Sequence, residues 1–281
     1  MPLYLLVAAT CGILPGSGCH PPRRCGTMAG MGRIAALLNQ KGGVGKTTVT
    51  LGLASAAANA GHRVLVVDLD PQGSSTWVLG HDPHDDHASA ADVIGDANAH
   101  LTVLASRWGP EVDVVPSSPS LQEHETGAPE RLRRALHRLA GEYDAVLIDC
   151  PPSLGNLTMS GLIAADLAVI VVEPAALGLR GIGAVADAID DVWNEHNTDL
   201  ELAGVIVNKV PAISGEADRR YDELARIVGR KTIWQPSVPQ RVIVNQAIGE
   251  RRAVHSFGAR SAEVSEAFDK LWAKLRRAAR S

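Results

Sequence analysis

Twelve residues, Asn39 to Thr50 (NQKGGVGKTTVT), carry the side chains and the flexibility needed to grip a chain of phosphates. Gly42, Gly43 and Gly45 let the backbone turn tightly and bring its N–H groups close to an anion. Lys46 is placed to reach β- and γ-phosphates, and the Thr47 hydroxyl is a magnesium ligand of the right kind. An apolar run from Ile34 to Leu38 precedes the segment, and an Ala- and Leu-rich run continues through Ala60. Strand, glycine turn, helix is the context in which such a loop works, because the helix starting near Lys46 adds its positive end. The competing reading is a glycine-rich turn with no ligand. The apolar strand before the turn and the helix after it weigh against that reading.

Two further strands end in acids. Val64 to Val67 is a continuous apolar run, as a parallel strand covered on both faces requires, and Asp68 and Asp70 follow it. Ligands of open α/β sheets bind at the carboxyl ends of strands, and period-two alternation puts both carboxylates on one side. Taken without the glycine loop, the pair would read as strand-end turn formers. Ala145 to Ile148 is a second buried run that ends in Asp149, and Pro151 and Pro152 stop it. One carboxylate at such a position holds a magnesium-bound water near the γ-phosphate.

The strict pattern G-x-x-x-x-G-K-S/T fails, because Gln40 occupies the place of its first glycine. A second lysine, Lys41, stands ahead of the glycines instead. KGGVGKTT is the signature loop of the ParA/MinD class of P-loop ATPases, and the chain resembles that class from about Gly32 to Arg277. The resemblance implies a doubly wound, mainly parallel sheet flanked by helices. It implies ATP and magnesium as cofactors, with Lys41, Gly42, Gly43, Val44, Gly45, Lys46, Thr47 and Thr48 around the nucleotide. Lys41 would reach the partner subunit's nucleotide in a dimer, and Lys41, Lys46 and Asp70 would be the catalytic residues. The stretch Asp68 to Gln72 is similar to the family's D-x-D-P-Q motif, in which Asp70 positions the attacking water and Asp68 supports the metal. Thr47, Asp68 and Asp149 would serve the magnesium, and the loop after Asp149, through Asn156, would sense the γ-phosphate. The family places a stretch like Glu173 to Val185 at its dimer face. Asn208, at the end of another strand, would pair with the adenine edge, and Pro239 would pack on the base. Arg241 would face DNA.

The functional expectation is an ATP-dependent, dimerising ATPase of chromosome or plasmid partition. It would bind DNA without sequence preference as the ATP dimer, be stimulated by a ParB-like protein, and work in the cytoplasm on the nucleoid. A MinD-like, membrane-cycling ATPase is the alternative, suggested by a basic, amphipathic C-terminal helix over Ser261 to Arg280. Its apolar stripe, Val264, Phe268, Leu271, Trp272 and Leu275, is wide enough to pack on the sheet instead. A third reading is a metabolic enzyme that uses this fold for ATP-dependent ligation or amidation.

Composition agrees with one large domain. The chain has 281 residues, 46% apolar and 21% charged, with only two Phe and three Tyr. The core is therefore aliphatic, and no stacking platform for single-stranded nucleic acid stands out. From Gly204 to Ser281 there are 15 Lys+Arg against 8 Asp+Glu, whereas the preceding residues carry 12 against 23. That asymmetry points to an anionic partner for the C-terminal part, with Arg219, Arg220, Arg241, Arg251 and Arg252 as candidate DNA contacts. The cysteines, Cys11, Cys19, Cys25 and Cys150, form no C-x-x-C pair and fit a reducing compartment. Residues 1–30 read as a disordered extension, or as sequence upstream of a start at Met28 or Met31; the ATPase domain is expected over 31–281. No DNA-binding helix-turn-helix is expected in the stretch before Gly32. Trp77 to Pro110 reads as an irregular polar stretch, in which His81, His84 and His87 are solvated loop residues. The last strand is expected within Thr232 to Pro239.

Overall fold

The computed structural model describes residues 32–85, 87–96, 98–124, 128–175 and 181–280. The proposed extension over residues 1–30 lies outside them. Five apolar runs form the centre of one sheet: β1 (Arg33–Leu38), β2 (Val64–Asp68), β5 (Ala145–Asp149), β6 (Leu167–Val172) and β7 (Glu201–Val207). β3 (Leu104–Ala105) and β4 (Val112–Val115) extend it on one side, and β8 (Ile233–Trp234) on the other. The order is β3-β4-β2-β5-β1-β6-β7-β8. Every pairing is parallel except the short β3–β4 ladder. The expected doubly wound architecture is therefore the observed one.

Alternate residues of each strand feed two separate cores. Ile34, Ala36 and Leu38 join Val146, Ile148, Ala168 and Ile170 on one face, while Ala35 and Leu37 join Val64, Val66, Leu147 and Val169 on the other. The helices covering the second face are α1 (Lys46–Asn59), α2 (Ser74–Leu79), α8 (Val242–Gly249) and α9 (Ala262–Ala278). The first face is covered by α3 (Ala90–Gly95), α4 (Glu130–Leu139), α5 (Asn156–Ala164), α6 (Ile182–Glu195) and α7 (Gly215–Val228). α1 is buried on almost every side because it lies between the sheet and α9. Its Gly52 makes that possible: a Cβ there would overlap the Phe268 ring. Gly61 (φ +72) ends the helix, as its place in the sequence suggests.

One expectation from sequence does not hold. Trp77 to Pro110 is not irregular throughout. It contains the end of α2, all of α3 and β3, and α3 starts with a full capping box between Ser89 and Asp92. The last strand, Ile233–Trp234, falls within the expected Thr232 to Pro239 and is short, because the chain then bends away so that Pro239 bridges Val210.

Candidate nucleotide site

β1 stands at the reversal of strand order, between β5 and β6, so the loop after it opens at the crevice where such sheets bind ligands. Gly43 (φ +82) and Gly45 (φ +90) take the left-handed conformation that lets successive N–H groups converge. Gly45 caps α1 without a side-chain hydrogen bond, so the cap itself leaves the first N–H groups of that helix to an anion. Asn39 anchors the start of the loop. Its Nδ2 donates to the Val171 carbonyl at 2.7 Å, and its Oδ1 accepts from the Lys41 N–H at 2.9 Å.

Lys46, the first residue of α1, is buried, and burial pulls its pKa down from the ordinary lysine value while the Asp149 carboxylate pulls it back. Asp149 and Asp68 end neighbouring strands in register and are both fully buried. Burial raises both carboxyls above the usual carboxylate range. For Asp68 the Asp149 charge adds to that rise; for Asp149 the hydroxyls of Thr47 and Ser75 and the Lys46 ammonium oppose it.

The two acids differ in what remains free. Asp68 Oδ2 accepts from the Thr76 N–H and hydroxyl, both at 2.8 Å, and its Oδ1 from the Asp70 N–H at 3.2 Å. Both of its oxygens therefore organise the D-x-D-P-Q turn. Asp149 Oδ2 accepts from the Ser75 hydroxyl at 2.8 Å, but its Oδ1 is buried without a well-formed hydrogen bond. A buried carboxylate oxygen left open beside the Thr47 hydroxyl is what a hard, oxygen-seeking dication requires. The residues present thus fit magnesium, with Thr47 and Asp149 as the side chains to hold it. Asp70 lies just past the strand, only partly buried, and its Oδ1 accepts from the Gln72 N–H at 3.0 Å. The loop after Asp149 folds back so that Pro152 lies 3.7 Å from the position of a Gly42 Cβ. Cys150, beside Asp149, is buried, and burial pushes its thiol well above the ordinary range.

The site has members that motif reading does not single out. Ser75 and Thr76 hold the two buried acids, and Ser117, from the turn after β4, donates to Thr76 Oγ1 from its N–H at 2.8 Å. Glu173 binds the Lys41 Nζ at 3.1 Å, and Lys209 donates to the Gly43 carbonyl. The Ser-Ser-Thr after the glutamine of D-P-Q was the one local signal; Ser117, Glu173 and Lys209 arrive from other strands and leave no signal in sequence.

A sequence profile described as an AAA domain matches residues 32–202. The chain is 32% identical over 237 residues to the sporulation initiation inhibitor protein Soj of Bacillus subtilis, covering 82% of this chain and 93% of that one. It is 34% identical over 224 residues to the chromosome partitioning protein ParA of Myxococcus xanthus, covering 78% and 79%. The chain belongs to the ParA family of ATPases. Among solved structures it resembles a Mycobacterium smegmatis protein named cobyrinic acid a,c-diamide synthase, with an ATP analogue and magnesium bound (TM-score 0.74, 29% identity, covering 89% of this chain and 96% of that one).

Within this ParA family member the remaining candidate residues take these places. Asn208 is buried, and its Nδ2 donates to the Val44 carbonyl at 2.9 Å. Pro239 bridges Val210, which ties the loops after β7 and β8 together. The candidate DNA-contacting arginines are not gathered as free cations. Arg219 pairs with Glu216, and Arg220 with Glu216 and Glu223. Arg241 forms a two-pronged pair with Glu263, both contacts at 2.8 Å. Arg251 stacks on Trp77 with its Cζ 4.9 Å from the ring centre, and Arg252 on Phe257 at 4.4 Å. Of the stretch expected at a dimer face, residues 176–180 lie outside the described ones.

Proposed function

We propose that this chain is a magnesium-requiring ATPase that dimerises on binding ATP and, as the dimer, binds DNA without reading its sequence. It would help to position or segregate a DNA cargo in the cytoplasm, with hydrolysis stimulated by a ParB-like partner. The observation that carries the reading is the buried Asp149 carboxyl beside the Lys46 ammonium and the Thr47 hydroxyl, its Oδ1 without a well-formed hydrogen bond, next to a loop that also carries Lys41. In this reading the loop and Lys46 bind the phosphates of ATP, and Thr47 and Asp149 would hold magnesium, which would supply positive charge to those phosphates. Asp70 orients the attacking water. Asp68 acts through the turn that it organises. Lys41 contacts the partner subunit's nucleotide.

The C-terminal helix bears on the membrane-cycling alternative. Val264, Phe268, Leu271, Trp272 and Leu275 of α9 are buried against α1 and the sheet, so its apolar stripe is already occupied. Among the described residues no helix is long and apolar enough to cross a membrane. The amidation reading is favoured by the name of the Mycobacterium smegmatis neighbour. Against it, Cys150, the one cysteine among the described residues, is sealed in the core and offers no thiolate to draw ammonia from glutamine.

The test is light scattering with and without ATP and magnesium, followed by gel retardation of unrelated duplexes. Wild type should dimerise with ATP and then retard every duplex. Lys46→Ala should do neither, with ATP affinity down by roughly 10- to 100-fold when a charge-assisted interaction is removed from a buried site. A nucleotide-dependent dimer that persists in Lys46→Ala would remove the loop from this role.

A further inference from the structure

The end of β7 reaches back to the phosphate loop in a way that neither the sheet nor the magnesium site requires. Asn208 closes the strand, its N–H donating to the Val172 carbonyl at 2.7 Å, and its side chain donates to the Val44 carbonyl. Lys209 follows in the left-handed region (φ +56), uncommon for a residue with a Cβ. That turn directs the Lys209 side chain across the loop, where Nζ donates to the Gly43 carbonyl and lies 3.9 Å from Glu173 Oε2. Glu173 holds Lys41 with its other oxygen. Two successive carbonyls of the loop, Gly43 and Val44, are thus gripped from outside by two successive residues of one strand end.

The consequence follows from the planarity of the peptide bond. In a trans peptide the C=O of one residue and the N–H of the next point in opposite directions. Fixing the Gly43 and Val44 carbonyls toward the β7 end therefore fixes the N–H groups of Val44 and Gly45 on the other side. These are the N–H groups between and at the two left-handed glycines, where the freedom to rotate a peptide plane is greatest. An unstrapped glycine loop would have to stop those rotations when it binds an anion, at a cost in conformational entropy. A strapped one has them stopped beforehand.

We propose that Asn208 and Lys209 form a strap that presets the phosphate loop, with Lys209 a positioning residue for nucleotide di- and triphosphates. It acts through the loop and not on the base or the terminal phosphate. Glu173 is the counter-ion that keeps the Lys209 ammonium over the Gly43 carbonyl. The inference rests on the reading that this loop holds the phosphates of a nucleotide. The close fit of Asn208 belongs to the same device: a Cβ on Gly45 would collide with Asn208 Nδ2, so strap and loop already touch.

The test is calorimetric titration of the full chain with ADP, ATP and AMP in magnesium, for wild type, Lys209→Met and Lys209→Arg. The Lys209 side chain is half exposed, so its loss should leave the melting temperature of the nucleotide-free protein unchanged. Lys209→Met should weaken ADP and ATP by the same factor, roughly three- to tenfold, since a hydrogen bond to a charged group is replaced by none. AMP affinity should not change, and Lys209→Arg should restore most of the loss. Lys209→Leu carries the same expectation should the methionine variant fail to fold. Unchanged ADP affinity overturns the strap. So does a loss confined to ATP, an equal loss for AMP, or a melting temperature that falls with the affinity. Wild type that binds no ADP at all would instead overturn the nucleotide reading on which the strap rests.

Discussion

At the scale of single residues, the chemistry of this site lies in the contrast between buried groups that have partners and those that do not. Asp149 has one oxygen bonded to Ser75 and one open, and it is the counter-charge for a buried lysine. Removing it leaves Lys46 and the Ser75 hydroxyl without that partner in a dry place. Asp149→Ala should therefore lower stability by about 3 kcal/mol as well as abolish magnesium-dependent nucleotide binding. Asp70→Ala, at a partly exposed turn, should leave melting and ATP affinity near wild type and slow turnover alone. Thermal melts, ATP titrations and phosphate release on the two variants check the division of roles; equal loss of ATP affinity in both would contradict it. Cys150 gives a pH prediction. The thiolate is the reactive form, and burial raises the thiol pKa, so the thiolate fraction stays negligible as pH rises from 7 to 9. Alkylation of the Cys150 peptide, followed by mass spectrometry, should stay slow across that range and become fast only on unfolding. A rate that climbs about tenfold per pH unit in the folded protein would show an ordinary, accessible thiol. The loop lysines and the three acids were legible in sequence because each is local to a motif. Glu173 and Lys209 were not, since their meaning depends on which strand ends become neighbours.

At the scale of elements, the phosphate-loop helix is positioned by packing on both sides. α1 has the composition of an interior helix, rich in Ala and other small residues, and its α9 face is shaped around the Phe268 ring at Gly52. Gly52→Ala is often favourable in a helix, because Ala loses less backbone entropy than Gly. Here the added methyl would overlap the ring carbons, so overpacking should win and cost about 1–3 kcal/mol. Combining it with Phe268→Leu should recover part of that loss, a non-additivity expected only of residues that touch. Denaturant melts of the two single variants and the pair measure it; additive losses would show that α9 does not seat there. The five central strands were readable because a strand covered on both faces is a continuous apolar run. Trp77 to Pro110 misled because α2 and α3 are short, with six residues each, too short to show an apolar period. In α3 the signal was the cap, Ser89 with Asp92 three residues on, rather than an apolar period.

At the scale of the whole molecule, the uneven charge of the sequence takes on a different meaning once its arginines have partners. Arg219, Arg220 and Arg241 are already in ion pairs, and Arg251 and Arg252 lie over aromatic rings. Exposed ion pairs contribute only up to about 1 kcal/mol, so a phosphate can exchange with a glutamate at little cost. Neutralising a phosphate also releases counterions, which a pair within the protein does not. The proposed DNA face therefore predicts competition between two anions for the same guanidinium. Arg241 is the cleanest place to look, because Glu263 occupies both of its prongs and lies on a different helix. Arg241→Ala should weaken ATP-dependent binding to every duplex alike and flatten the salt slope by about 0.9 for each phosphate no longer neutralised. Glu263→Gln should do the reverse and tighten binding, because the guanidinium then has no internal carboxylate to leave. Dimerisation with ATP should be normal in both, since neither residue touches the loop. Two weak faces joined by dimerisation would account for a need for ATP at a surface that ATP does not reach. Retardation at several salt concentrations decides the matter. Binding that needs no ATP, or that responds to neither variant, would leave the C-terminal charge as a solvated surface and the arginines as what their partners already make them, ties within the fold.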